Sequence, residues 1–347
     1  MDATAQDHRP LNREQPLATG TLKKCISSHA RSIHDVVRME QAINALLPVE
    51  LTQLAGGTLH GELLPLDLGP LRVLRLRFDK PLHSAGAKPA DRQLITLDLG
   101  APLGQAVIRS HGEELPRTSF FGLASRGEIH LTTPHHCSLA LLSINRWQFL
   151  QWGLDLGCPG LEDTLERSNW QTLDPVRFQR VRGCLRRIFY LAERNPALVD
   201  DPWRRDLMSR DLVPLLLEAV AQQGHHSRRL ARPPARIELV KAAQRWMAGH
   251  PTEPITLDAL CREVAVGRRT LLHGFREQLG MGPMAFLKLR RLHGVRRELL
   301  SADPKTTRIM ELAADWGFLN PGHFARDYRT LFGERPSSTL ETRGRGD

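Results

Sequence analysis

The chain has 347 residues, of which 41% are apolar and 25% are charged, and its formal net charge is +10 at pH 7. This length exceeds what one hydrophobic core usually supports, so two domains are predicted, and the composition excludes a chain that is disordered throughout. No apolar run reaches the roughly 18 residues of a membrane span, and the first 30 residues lack the apolar stretch of a secretory signal. We therefore expect a cytoplasmic protein without membrane contact.

Residues 1–30 are polar and are predicted to form a disordered tail. A helix over residues 36–47 is then expected to end at Pro48. In residues 58–144 short apolar runs alternate with polar residues and turn signals, which predicts a β-sandwich or barrel. Helical periodicity over 147–156, 176–194 and 203–220 follows and indicates a helical hairpin.

The β-rich part and the hairpin together predict a sensing and dimerisation domain over residues 31–222. A linker is expected at 223–236, where a Pro-Pro pair interrupts the helical pattern. From Leu230 onward the chain carries 20 Lys and Arg against 13 Asp and Glu. Positive charge concentrated in the last third favours nucleic acid as a partner, because neutralised phosphates release counterions.

A first helix-turn-helix unit is predicted in residues 256–280. Leu257 and Leu260 mark the apolar face of its first helix, and after a short turn Leu271 and Phe275 face the core at i, i+4. The outer face of this second helix consists of Arg268, Arg269, Leu272, His273 and Arg276. A basic helix that follows such a turn has the geometry that enters a DNA major groove.

A second unit repeats the pattern in residues 307–336. Asn320 supplies an N-cap, Pro321 occupies the first helical position, and Phe324 and Tyr328 face inward at i, i+4. The outer face consists of Gly322, His323, Ala325, Arg326 and Arg329. A long helix over about 284–300, with Arg290, Arg291, Arg296 and Arg297 exposed, is predicted to join the units. Such a helix can hold two recognition helices about 34 Å apart, one turn of duplex.

These motifs resemble the DNA-binding domain of the AraC/XylS transcription regulators over about residues 235–342. The matching positions are the apolar, glycine, proline and arginine residues that define the family's two units: Leu271, Phe275, Gly280, Pro283, Arg291, Leu292, Ile309, Leu312, Ala313, Gly317, Phe318, Phe324, Arg326, Tyr328, Arg329, Phe332, Gly333 and Pro336. Gly267 departs from the family's usual serine N-cap, and Val295 departs from its usual alanine. Glycine is a tolerable cap, so the loss should be roughly a few tenths of a kcal/mol.

The resemblance implies an α+β protein with an all-α double helix-turn-helix domain over 237–342. It places base contacts of the first recognition helix at Arg268, Arg269, Leu272 and His273, and those of the second at Pro321, Gly322, His323 and Arg326. An arginine fork can bond both major-groove acceptors of guanine. For any single one of these residues the alternative is a solvated helix face. The predicted phosphate contacts, with solvated charge as an equal alternative, are Arg276, Arg296, Arg297 and Arg329.

Segments 59–63 and 131–143 resemble those family members that regulate ethanolamine-utilisation operons. This likeness implies ethanolamine or a cobalamin as an effector of the amino-terminal domain; no cofactor is otherwise required. His135, His136 and Cys137 are adjacent, so a strand would point neighbouring side chains to opposite faces, and we interpret them as a turn rather than a metal site. The five cysteines are odd in number and form no CxxC pair, which indicates reduced thiols.

The main hypothesis is a sequence-specific activator or repressor that acts with RNA polymerase at promoter DNA as a homodimer. One alternative is an effector-free regulator, for example of quorum signalling or virulence, that a protein partner controls. A second is an enzyme with a DNA-binding appendage, such as an alkyltransferase that uses a cysteine thiolate. No catalytic motif is visible in the sequence, so we expect no enzymatic activity.

Overall fold

The computed structural model describes residues 30–100, 107–125, 127–221 and 235–342. The fold is α+β, with a β-rich amino-terminal part and an all-helical carboxyl-terminal part, as predicted. The predicted tail up to residue 29 and the linker residues 223–234 lie outside the described residues. Within the described ranges no helix combines the length and apolarity that crossing a membrane demands.

The amino-terminal part is a sandwich of two antiparallel sheets. Its strands are β1 (Arg31–Ile33), β2 (Val49–Gln53), β3 (Gly61–Asp67), β4 (Leu71–Phe78), β5 (Leu82–Ala87), β6 (Arg92–Asp98), β7 (Arg109–Ser110), β8 (Glu113–Glu114), β9 (Ser119–Phe121), β10 (Glu128–Thr132), β11 (Cys137–Asn145) and β12 (Trp170–Thr172). One sheet has the order β1-β3-β4-β11-β6-β9-β12, and the other has the order β2-β5-β10-β7-β8. Alternation along β4 explains the packing, because successive side chains point to opposite faces and both faces are covered.

Within residues 30–100, 107–125 and 127–221, six helices accompany the sandwich: α1 (Val36–Asn44), α2 (Arg146–Asp155), α3 (Leu161–Arg167), α4 (Pro175–Arg194), α5 (Ala197–Asp200) and α6 (Pro202–Ala221). Helices α4 and α6 form the predicted hairpin and bury their apolar stripes, including Leu185 and Leu216, against the outer face of the larger sheet. Asp174 caps α4 by accepting hydrogen bonds from Val176 N and Arg177 N, which satisfies amides that a helix start leaves free.

The carboxyl-terminal part contains α7 (Ala235–Gly249), α8 (Leu257–Glu263), α9 (Arg268–Leu279), α10 (Pro283–Ser301), α11 (Ile309–Asp315), α12 (Pro321–Phe332) and α13 (Pro336–Thr342). The first unit packs around its own core of α7 to α10, centred on Phe275 and Phe286. The second unit shares a continuous apolar cluster with α1 and the interior of the sandwich, which includes Leu299 and Phe324. The two parts of the chain are therefore packed directly against each other.

Some element predictions were wrong in detail. The first helix ends at Asn44 rather than at residue 47, because Asn44 Oδ1 turns back to accept a hydrogen bond from Val49 N (2.7 Å). Helix α7 was missed, although Ile237, Val240 and Met247 bury one side of it and their spacing is helical. The Arg-rich and Pro-rich stretch before α7 obscured this helical spacing. Because of it, the linker was predicted to end at residue 236, inside a helix that begins at Ala235.

Candidate nucleic-acid interface

The first helix-turn-helix unit consists of α8, a turn and α9. The turn places Ala265 at a φ of 53°, and Gly267 starts α9 without a side-chain cap. Leu271 and Phe275 are fully buried at i, i+4, as their spacing predicts. These two anchors fix the rotation of α9 about its axis, so that the opposite side faces solvent.

The outer face of α9 is basic and open to solvent. Arg269, His273 and Arg276 are exposed, and Leu272 is half-buried. Arg268 is also exposed, but its Nε donates a hydrogen bond to Asp258 Oδ1 on α8 (2.6 Å). A base contact by Arg268 would require it to exchange this carboxylate for a guanine edge, whereas Arg269 forms no ion pair with any described residue.

The second unit consists of α11, a turn and α12. Asn320 Oδ1 accepts a hydrogen bond from His323 N (3.0 Å), which is the predicted N-cap. Phe324 and Tyr328 are buried at i, i+4. In the turn Gly317 has a φ of 83°, a conformation that favours glycine.

The outer face of α12 presents the predicted base-contacting residues to solvent. Pro321, Gly322, His323 and Arg326 are all exposed, and Arg329 is exposed one turn further along. Neither arginine forms an ion pair within the described part of the chain, so both guanidinium groups are available to an external anion. The roles assigned to these side chains on DNA stay predictions.

Helix α10 sets the relative placement of the two units. Trp316, from the second turn, packs on Gly294 so closely that an added Cβ would lie 2.1 Å from its ring. The indole Nε1 also donates to Glu298 Oε1 (2.8 Å). Arg291 donates to the carbonyls of Pro251 and Glu253 in the segment between α7 and α8. Each unit is thus attached to α10 by specific contacts, which supports the prediction of a rigid connection.

The exposure predicted for the arginines of α10 was wrong. Arg296 is only 5% exposed, and its guanidinium contacts Asp35 Oδ2 and Glu334 Oε1, the latter at 2.7 Å. Arg297 is half-buried and donates to both carboxylate oxygens of Glu40 at 3.0 and 2.8 Å.

Arg290 likewise donates to Glu50 Oε2 (2.6 Å). In this structure these three side chains join the two domains. Arg296 is therefore shielded from solvent, and neither Arg296 nor Arg297 is available to phosphate in this structure, because Asp35 and Glu40 of the amino-terminal part pair with them. Sequence spacing does not reveal these pairs.

The amino-terminal domain also caps the end of the second recognition helix. The last carbonyls of a helix lack partners within the helix. Here Thr330 O accepts from Gly57 N (2.9 Å), Leu331 O accepts from Gln53 Nε2 (3.0 Å), and Phe332 O accepts from Thr58 Oγ1 (3.3 Å). The end of β2 and the segment that joins it to β3 therefore hold α12 at its carboxyl end, a contact for which the sequence carried no signal.

Neutral histidines lie in the same domain interface. His293 is fully buried, and its Nε2 accepts a hydrogen bond from Gln53 N (2.9 Å). Burial, reinforced by the neighbouring Arg297, lowers the pKa of His293 to about 3. His130 bonds Gln244 of α7 (2.8 Å), and burial also lowers its pKa. Because a protonated imidazole would be an uncompensated buried charge, this interface requires neutral histidines.

The sequence raises His135, His136 and Cys137 as candidate metal ligands and a cysteine thiolate as a candidate nucleophile. His135 and His136 lie in an exposed bend before β11, consistent with the predicted turn. Within the described ranges no group of three or more His, Cys, Asp or Glu is placed to hold a metal ion. Cys137 is buried, and this burial raises the pKa of its thiol, which disfavours the thiolate that an alkyltransferase needs.

A protein-family model described as a helix-turn-helix domain matches residues 260–342. The chain is 36% identical over 145 residues to the probable thc operon regulatory protein of Rhodococcus erythropolis, and this match covers 42% of each chain. It is 36% identical over 86 residues to the XylDLEGF operon transcriptional activator of Pseudomonas putida, over 25% of this chain and 27% of that one. A solved structure of a probable AraC family transcriptional regulator from Rhodopseudomonas palustris CGA009 is 37% identical, over 30% of this chain and 97% of that one, with a TM-score of 0.29. The carboxyl-terminal part of this chain is a helix-turn-helix domain of the AraC/XylS type.

The matches to the two curated relatives span less than half the length of each of them. The family assignment therefore concerns the double helix-turn-helix domain first of all. In AraC/XylS terms, α9 and α12 are the two recognition helices and α10 is the helix that joins them. None of the three reported names refers to ethanolamine, so ethanolamine or cobalamin as effector stays a prediction.

Proposed function

We propose that this AraC/XylS protein is a sequence-specific regulator of transcription that inserts α9 and α12 into successive major grooves of promoter DNA. The observation that carries the proposal is that two solvent-exposed arginine faces project from one domain whose units are both attached to α10. Base-edge contacts by such arginines supply sequence preference, and phosphate contacts supply affinity. The names of the relatives, which are operon regulators and activators, support activation with RNA polymerase in the cytoplasm.

The amino-terminal domain is proposed to set DNA occupancy and to form the homodimer. Large apolar side chains are exposed on its helical side, among them Trp147 at 72% on α2 and Trp203 at 70% on α6. Exposed aromatic residues of this kind are typical of protein interfaces. Its contacts with α10 and α12 supply a physical route by which a signal could alter the recognition helices. A cavity lined mostly by apolar side chains lies between the two sheets, which favours a small-molecule signal over control by a protein partner alone.

The test is binding of the full chain to duplexes selected from a random library, measured over a salt series. We expect a steep fall of log affinity with log salt and a preferred sequence with two half-sites about 10 base pairs apart. Arg269→Ala and Arg326→Ala should each cost about 1 to 3 kcal/mol on the selected site while hardly changing affinity for random duplex.

The matched control is Arg77→Ala on β4, a side chain that is 51% exposed and belongs neither to the recognition helices nor to α2 or α6. This variant should bind both duplexes as the wild type does. A response that is flat in salt, or a library that yields no preferred sequence, would contradict the proposed function. Equal losses on both duplexes would reassign Arg269 and Arg326 to the DNA backbone.

A further inference from the structure

Two exposed histidines face each other at the edge of the larger sheet. Strand β1 is the edge strand, and it pairs with β3 in an antiparallel register in which Ile33 lies opposite Gly61. One step beyond that pair, the same register brings His34 opposite His60. Residues directly opposite each other in an antiparallel pair carry their side chains on the same face, with Cβ atoms about 5 Å apart. The fold therefore places side by side two imidazoles that are 26 positions apart in the chain.

The two rings turn the same nitrogen toward each other. His34 Nδ1 lies 3.1 Å from His60 Nδ1, and the ring planes are inclined by 74° with their centroids 5.2 Å apart. Two imidazole nitrogens that bind one Zn²⁺ at about 2.0 to 2.1 Å, with an angle of about 90° to 110° between them, lie about 2.8 to 3.4 Å from each other. The separation of the two Nδ1 atoms thus suits two ligands of one ion.

The surroundings of the pair leave the other coordination positions of such an ion to water. Both side chains are exposed. Asp79 lies beside His60, but its Oδ1 accepts a hydrogen bond from His60 N (2.7 Å) and its Oδ2 lies 3.4 Å from Lys80 Nζ. Within the described ranges no third His, Cys, Asp or Glu joins the pair in a metal-binding group. The protein therefore offers two nitrogen ligands and open positions for solvent.

A hydrogen bond between the rings is the other use of this geometry. It requires one Nδ1 to keep its proton and to donate it to the other ring. Such a bond between exposed groups stabilises little, because water offers each nitrogen an equivalent partner. A divalent ion, in contrast, uses the lone pairs of both Nδ1 atoms at once. Because the strand register already holds the two rings together, the ion binds them at a small cost in ordering.

We propose that His34 and His60 form a two-histidine site for a divalent ion of the late first transition series, such as Zn²⁺, Ni²⁺ or Cu²⁺. Imidazole nitrogen suits these ions, whereas Mg²⁺ and Ca²⁺ prefer oxygen ligands. Cu²⁺ should bind most tightly of the three, in keeping with the general order of affinities for such sites. The site belongs to the edge of the sheet and shares no residue with the two recognition helices.

The site adjoins two segments through which the amino-terminal part contacts the DNA-binding domain. His34 directly precedes Asp35, whose carboxylate pairs with Arg296 of α10. His60 follows Thr58 by two residues, and Thr58 Oγ1 donates to Phe332 O at the end of α12. An ion shared by the two rings therefore ties these two interface segments to each other.

The test counts the ions that the full chain binds in equilibrium dialysis against Zn²⁺, with Mg²⁺ as the comparison. His34→Gln combined with His60→Gln should remove one Zn²⁺ per chain. Each single substitution should weaken that ion's binding about tenfold or more, since even loss of a group that only orients a ligand does so. His135→Gln combined with His136→Gln is the matched control, because it removes two neighbouring exposed histidines, and it should keep the ion.

A second measurement identifies the ligands. The electron spin resonance spectrum of bound Cu²⁺, taken as the difference between the wild type and the His34→Gln, His60→Gln double variant, should show coupling to two imidazole nitrogens. Urea unfolding without metal checks that both double variants are folded, and Zn²⁺ should raise the unfolding midpoint of the wild type more than that of the double variant.

Three results would overturn the inference: equal Zn²⁺ binding by the wild type and the His34→Gln, His60→Gln variant, loss of the same ion from the control, or displacement of Zn²⁺ by equimolar Mg²⁺. Should the double variant fail to fold, the single substitutions decide in its place. None of these measurements involves DNA, so their outcome is independent of the proposed function.

Discussion

Asp35→Asn tests the ion pair that joins the two domains. Asp35 has two separate tasks, because its Oδ1 accepts from Val37 N (2.7 Å) and Arg38 N (2.9 Å) as the cap of α1, while its Oδ2 faces Arg296. Asparagine is an equally good N-cap, so the first task survives the substitution. The ion pair with Arg296 does not survive, because the asparagine amide presents either an N–H donor or an uncharged oxygen to the buried guanidinium.

The cost follows from burial. Both side chains of the pair are less than a tenth exposed, at 9% for Asp35 and 6% for Arg296. Loss of one partner of a buried ion pair costs about 3 to 5 kcal/mol, since the other charge is left uncompensated. Glu334 stays 2.7 Å from Arg296 and retains part of the compensation. We therefore expect the low end of that range, about 3 kcal/mol.

The assay is urea unfolding of the full chain, combined with hydrogen exchange of the amides in α10 and α12. Asp174→Asn is the matched control, since Asp174 caps α4 with the same two-amide geometry but is exposed. It should cost less than about 0.5 kcal/mol. In a double-mutant cycle, adding Arg296→Met to Asp35→Asn should cost at least about 1 kcal/mol less than adding it to the wild type. Additivity of the two substitutions would refute the reasoning.

Two further predictions concern α10. His293→Gln should flatten the acid dependence of stability. Because burial lowers the pKa of His293 in the folded chain, the neutral imidazole contributes its full stability above about pH 6.5, and this stability is lost as pH falls toward 3. At pH 5 the free energy of unfolding should be lower by about 2 kcal/mol, which urea unfolding measures. An unchanged pH slope would contradict this, and His323→Gln, exposed on α12, is the control. Gly294→Ala should destabilise the chain by about 1 to 3 kcal/mol through overlap with Trp316. Gly183→Ala in the middle of α4, where an added Cβ meets nothing, should instead stabilise by about 1 kcal/mol; the same sign for both glycines would be inconsistent with the packing.

Local patterns predicted the recognition helices well. The i, i+4 pairs Leu271 with Phe275 and Phe324 with Tyr328 specify which side of each helix is buried, and the structure buries all four. Asn320 and Pro321 likewise specify the start of α12 from adjacent residues alone. Such signals are readable in a single sequence because the interactions that produce them connect residues within one or two helical turns.

The arginines of α10 show what local sequence patterns cannot predict. A helical wheel of α10 presents Arg296 and Arg297 as polar positions, and polar positions are expected to face solvent. Their partners, Asp35 and Glu40, come from a helix more than 250 residues earlier in the chain. Sequence spacing carries no information about that meeting, which arises only when the sandwich packs on α10.

What the sequence determined by itself is the set of elements whose stability is local: the two helix-turn-helix units, their capping residues and the arginines of their outer faces. The tertiary structure alone decided which basic residues remain open to DNA, how the end of α12 is capped, and that a mostly apolar cavity lies between the sheets. The physical reason is that charge pairing and desolvation depend on distance in space, and residues far apart in the chain come within that distance only after folding.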